Sequence, residues 1–107
     1  MFAHIGEDYV INSAELLLIM NYDVFAMSQD NLKILEKLKK EDRMVIINDE
    51  YKKSILILEI DGKLYAIISP VSSNTIAKRF VNFNFYVDNY LENIWIFRKV
   101  ELNGYNK

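Results

Sequence analysis

Ser54-Ile55-Leu56-Ile57-Leu58-Glu59-Ile60-Asp61-Gly62-Lys63-Leu64-Tyr65-Ala66-Ile67-Ile68 is the stretch on which the fold turns. Two apolar runs rich in isoleucine, residues 54–60 and 64–68, flank Asp61-Gly62. Asp-Gly between such runs is the strongest short-range signal for a β-hairpin, because both residues accept the positive φ of a tight turn. Pro70 ends the second run, since proline donates no ladder hydrogen bond.

Working outward, residues 44–47 read as a further buried strand, separated from the hairpin by the polar break Asn48-Asp49-Glu50. Before it lies the clearest helix, residues 28–41. Ser28 is a good N-cap, and Asp30 sits in the first turn, where the helix dipole favours an acid. Leu32, Leu35 and Leu38 fall on one stripe that Ile34 widens, with Lys33, Lys37 and Lys40 opposite. Nearer the N-terminus, residues 2–5 and 9–11 are short β-favouring runs around a Gly6-Glu7-Asp8 turn. Residues 13–21 hold the apolar block Leu16-Leu17-Leu18-Ile19-Met20, which periodicity alone cannot assign; a strand is favoured over a helix capped by Ser13.

On the far side of Pro70, Ser72-Ser73 offers an N-cap for a short helix over residues 74–80. Val81, Phe83, Phe85 and Val87 then alternate with Asn82, Asn84, Tyr86 and Asp88, the period of a half-buried strand. Residues 88–93 can turn, Ile94-Trp95-Ile96-Phe97 starts another strand, and residues 103–107 are expected to fray. The expected fold is α+β: a small, mostly antiparallel sheet with one longer and one short helix.

Composition limits the function. The chain has 107 residues, 51% hydrophobic, with 3 Gly and 1 Pro, so one well-ordered domain is expected, and self-association would supply burial that so small a core lacks. It has no cysteine, which removes disulfides, thiolate catalysis and zinc-thiolate sites. No leader of basic and then long apolar character opens the sequence, and the apolar run at residues 16–20 is far short of a membrane span. A cytoplasmic protein with no membrane partner is expected. The net charge is -2, yet the five acids of residues 1–30 face no Lys or Arg, and all 13 bases lie in the remainder.

No catalytic constellation emerges. His4 is the sole histidine, so no triad or metal-ligand spacing is available, and a strand-end histidine is the plainer reading. The acid pairs Glu7-Asp8, Glu41-Asp42 and Asp49-Glu50 sit at turns, where solvated acids are ordinary. Ser69, Ser72 and Ser73 lack a nucleophile elbow and read as capping groups. Neither an enzyme, a metal, a cofactor nor a small-molecule substrate is expected. Lys52, Lys53, Lys78 and Arg79 are the candidate nucleic-acid contacts, by Lys point charges and the Arg fork on phosphate. Solubility, and cations near a helix C-terminus, explain the same residues more plainly. Of 14 aromatics, eight lie between Phe80 and Tyr105. The Val81/Phe83/Phe85/Val87 stripe reads as core or subunit interface, and Tyr86, Tyr90 and Trp95 as a contact surface.

Three stretches resemble the bacterial RemA/RemB family of matrix regulators. The opening Met1-Phe2-Ala3-His4-Ile5-Gly6-Glu7-Asp8-Tyr9-Val10-Ile11 is similar to RemB-type N-termini. Lys52-Lys53-Ser54-Ile55-Leu56-Ile57 is similar to the family's basic-then-apolar strand. Ser69-Pro70-Val71-Ser72-Ser73-Asn74-Thr75-Ile76-Ala77-Lys78-Arg79, running on into Phe83-Asn84-Phe85, is similar to its Ser-Pro-x-Ser-Ser signature. The likeness spans residues 1–88, a RemB-like domain, and leaves residues 89–107 as a C-terminal extension: a strand packed on the domain and a frayed end. It implies a ring-like homo-oligomer that, in RemA-type members, binds duplex DNA and activates transcription of biofilm-matrix genes. Those members use arginines where this chain carries Lys52 and Lys53, and others from the region where it carries Glu15 and no base. Two expectations stand: an oligomeric regulator with weak, avidity-dependent DNA contact, and an interaction module without DNA contact.

Overall fold

The computed structural model describes residues 1–80, 86–87 and 94–97. Strands β1 (Phe2–Gly6) and β2 (Tyr9–Asn12) form a separate antiparallel pair. After a 3-10 turn at Ser13–Glu15 come β3 (Leu16–Asn21), α1 (Tyr22–Ala26) and α2 (Gln29–Lys40). Then follow β4 (Met44–Ile46), β5 (Ser54–Ile60), β6 (Lys63–Ser69), α3 (Ser73–Lys78), β7 (Tyr86–Val87) and β8 (Ile94–Ile96). The main sheet runs β4-β6-β5-β3-β8-β7, and of its pairs only β4-β6 is parallel. The α+β expectation holds.

The central hairpin is as read. Asp61 and Gly62 take φ values of 51° and 78°, the signs a type I′ turn requires, and all seven residues of β5 pair in register with β6. Side chains of β5 alternate between two layers. Leu56 and Leu58 face the layer built by β1, β2 and α3, with Ile5, Ile11, Ile76 and Phe80. Ile55 and Ile57 face the layer built by α1 and α2, with Phe25, Leu35 and Leu38. A strand covered on both faces needs no polar alternation, which is why this stretch is continuously apolar. Full burial of each such aliphatic side chain contributes about 1.5–3 kcal/mol.

The same logic resolves the apolar block at residues 16–20. Leu16 and Ile19 enter the first layer while Leu17, Leu18 and Met20 line the second, with a register shift between Leu16 and Leu18. The strand reading holds, with Ser13 opening the 3-10 turn before it.

Several local expectations are corrected. Helix α1 is an element the sequence pattern does not announce; Asn21 caps it, its side chain accepting from Val24 N–H at 3.0 Å. In α2, Leu35 and Leu38 are buried, but Ile34 is 45% exposed and does not widen the buried stripe. β4 is half-buried rather than buried, because it sits at the edge of the sheet with β6 as its partner. α3 starts at Ser73 and stops at Lys78, so Phe80 lies beyond it, fully buried, its ring edge-on to Phe97 with centroids 5.6 Å apart. Trp95 packs against the first layer instead of offering a free surface. The alternation expected at residues 81–88 lies outside the described residues except for β7, as do the turn expected at 88–93, Tyr90 and the frayed end. β8 pairs antiparallel with β3, Ile19 opposite Trp95.

Candidate functional site

Where β6 ends, one short polar segment ties three parts of the chain together. The Ser69 hydroxyl, fully buried, donates to the Ile5 carbonyl and accepts from Val71 N–H at 3.0 Å. Ser54, at the start of β5 and equally buried, donates from its hydroxyl to the Val71 carbonyl at 2.7 Å. Gly6 closes against this corner: a Cβ built on it would stand 3.2 Å from Pro70 Cδ and 3.3 Å from Ser69 Oγ. Gly6 also holds φ at 138°, a conformation open to glycine and costly to other residues. The hairpin of β1 and β2 is thereby fixed to the sheet.

Ser72 then caps α3, its hydroxyl oxygen accepting from Thr75 N–H at 3.2 Å while its O–H meets Thr75 Oγ1 at 2.8 Å. The capping role expected for the serines is met by Ser72; Ser73 is the first helical residue and is buried. Lys78 and Arg79 end the helix on its exposed side. The Arg79 fork is partly engaged: Nη1 donates to the His4 carbonyl at 2.8 Å. Arg79 and Ser69 therefore hold successive carbonyls of β1.

Lys53 belongs to the same corner. Its N–H donates to the Ser69 carbonyl at 2.9 Å, and its own carbonyl accepts from Tyr22 N–H at 3.1 Å. Its main chain is held from both sides while its side chain is exposed. Lys52 departs from the group. Half-buried, it lines a shallow cavity of about 290 Å³ on the α2 side of the sheet, with Tyr22, Leu32, Lys39 and Met44. The structure thus bonds the Lys53 main chain to Ser69 and the Arg79 guanidinium to the carbonyl before the one Ser69 holds, while Lys52 lines the other layer.

Tyr22 and the buried hydroxyls of Ser54 and Ser69 are not marked by the sequence as parts of one corner. Their signal is faint: a serine at each end of an apolar hairpin, where a strand terminus leaves main-chain groups to satisfy. The acid pairs stand at turns, as read, and His4 is exposed on β1. Among the described residues no group of three His, Asp or Glu is placed to hold a metal ion. No helix among them is long and apolar enough to cross a membrane.

An α+β domain whose main sheet is covered on both faces, with a serine-pinned N-terminal hairpin and an exposed Lys53 beside the corner where that hairpin docks, defines a small scaffold that presents charge on its surface. The chain belongs to the RemA-like family, extracellular matrix regulatory protein A-like, whose match covers residues 2–80. That match ends at Phe80, the core residue that follows α3. Among curated proteins none matches the chain.

Proposed function

We propose that this matrix regulatory protein works as a homo-oligomer in the cytoplasm, touching the phosphates of duplex DNA through Lys53, Lys78 and Arg79 to regulate transcription of biofilm-matrix genes, without catalysis of its own. The observation that carries the reading is Lys53. A lysine whose main chain is bonded on both sides has no backbone left to order when its exposed ammonium meets a phosphate, so only side-chain rotamer entropy opposes the contact. Lys78 adds a second exposed charge, and Arg79 keeps most of its five N–H donors after bonding His4. Lys52 contributes field rather than contact, being turned to the other layer.

One copy offers few contacts against a net charge of -2, so affinity has to come from repetition. Copies held together present the same three cations many times, and each added engagement is intramolecular. The second reading, an interaction module without DNA contact, draws on the tie between Arg79 and His4, which gives that arginine a structural task.

Native mass measured with and without duplex DNA tests the proposal. A multimer that gains the mass of the duplex supports it. A multimer that leaves DNA free favours the interaction module, and a monomer that ignores DNA removes both readings.

A further inference from the structure

The acidic character of the N-terminal third meets a complement elsewhere on the same chain. Between the C-terminal half of α2 and the tip of the β5–β6 hairpin lies an open cavity of about 370 Å³, lined by Ile34, Lys37, Leu38, Arg43, Gly62, Lys63 and Leu64. Its lining holds three cations, of which Arg43 is paired with the neighbouring Glu41 while Lys37 and Lys63 have no ion-pair partner among the described residues. Ile34 and Leu64 supply apolar walls and are 45% and 40% exposed. Lys37 is explained by its place in the last turn of α2, where cations suit the helix dipole. Lys63 is not: it comes from the hairpin, at the far end of a different element. Arg43 ties the two elements together, donating from Nη1 to the Leu64 carbonyl at 3.2 Å and pairing with Glu41.

The opposite patch is the tip of the β1–β2 hairpin. Glu7 and Asp8 form its turn, and among the described residues neither has an ion-pair partner. Tyr9 and Val10, 43% and 45% exposed, follow directly. The tip is therefore acidic and apolar where the cavity is basic and apolar. The two lie apart. Gly6 packs beside Pro70 at the end of β6, whereas the cavity takes Lys63 and Leu64 from its start, about 20 Å away at the rise of a strand. They also belong to different layers, the hairpin covering Leu56 and Leu58, the cavity sitting beside α2.

We infer that the basic cavity is the docking site for the Glu7-Asp8-Tyr9-Val10 tip of a second copy of this chain. A chain cannot reach its own cavity with its own tip, but two different complementary patches at opposite ends join copies head to tail. Repetition of such a heterologous contact closes into a ring when the rotation permits. The inference rests on the reading that the protein self-associates, and gives that reading its interface.

Charge reversal on each side, followed by reversal on both, tests the pairing by native mass of the full chain across a concentration series. Lys37→Glu/Lys63→Glu and Glu7→Lys/Asp8→Lys alter exposed residues, and circular dichroism confirms that each variant is folded. Each pair of substitutions alone weakens self-association by about tenfold or more, since like charges then face each other. The two pairs together restore it. Variants that keep the wild-type mass overturn the interface while self-association stands. A wild type that stays at 12.6 kDa at every concentration overturns both.

Discussion

The Ser69 hydroxyl donates to the carbonyl of Ile5, 64 residues earlier in the chain, and both residues are fully buried. A bond of this kind joins elements far apart in the chain: it ties the last residue of β6 to the N-terminal hairpin, beside the corner where the Lys53 main chain is held. Ser69→Ala leaves the buried Ile5 carbonyl and the half-buried Val71 N–H without this partner. The expected cost is about 1–3 kcal/mol, read as a lower urea midpoint. Amide exchange should quicken first in β1 and β2. An unchanged midpoint would show that the hydroxyl contributes nothing to the tie.

Gly6 and Gly62 allow a matched comparison. Both hold positive φ, but only Gly6 has Pro70 and Ser69 within 3.4 Å of an added Cβ; nothing lies within 4 Å at Gly62. Gly62→Ala is expected to cost about 1–2 kcal/mol from backbone strain alone. Gly6→Ala meets a φ of 138°, further from the left-handed region, and a clash against a proline ring that cannot swing aside, so its thermal midpoint should fall further. Equal losses would mean that neither the φ of Gly6 nor the close approach at Pro70 adds to the cost.

Ser13 is a buried hydroxyl whose oxygen has no hydrogen-bond partner among the described residues, although its N–H donates to the Met1 carbonyl at 2.8 Å. Removing a group that makes no bond removes no bond energy. Ser13→Ala should leave stability within about 0.5 kcal/mol of wild type or raise it. A loss comparable to that of Ser69→Ala would contradict this contrast.

The Arg43 hydrogen bond, with its positive charge, holds the Glu41 carboxyl below the usual glutamate range; Lys37 and Lys63 pull the same way more weakly. A carboxylate whose pKa is lowered on folding contributes stability that is fully present above its unfolded pKa. That contribution fades as pH falls through the lowered value. The difference in urea midpoint between wild type and Glu41→Gln should therefore be present near neutrality and shrink in strong acid. It should be small throughout, because Glu41 is substantially exposed. A difference that grows on acidification would reverse the assigned sign.

Much of this fold was legible because single residues dictate local geometry. Asp61-Gly62 allowed the hairpin turn, Pro70 stopped β6, and Ser28 and Ser72 capped α2 and α3 as their side chains foretold. What escaped was set by tertiary placement. Ile34 lies on the α2 stripe by spacing but faces solvent beside Lys37, because the sheet covers a narrower arc than the pattern offered. Tyr22–Ala26 carries no strong helical period, and its start depends on one Asn21 bond. The candidate site was legible as a set of cations and not as an arrangement. Lys52 and Lys53 are neighbours in sequence just before β5, yet Lys52 lines the cavity beside α2 while the Lys53 main chain is bonded at the Ser69 corner. That Arg79 reaches back to His4 depends on how β1 docks, which no local pattern encodes.

The central claim is that this protein meets DNA as a row of phosphate contacts built from Lys53, Lys78 and Arg79. Fluorescence anisotropy of a labelled duplex, titrated with the full chain over a series of salt concentrations, tests it most directly. Binding is expected at low salt and should weaken steadily as salt rises. With Lys53→Ala/Lys78→Ala the slope of log affinity against log salt should become shallower by about 0.9 for each phosphate no longer neutralised. No binding at the lowest salt, or a slope that the two substitutions leave unchanged, would contradict it.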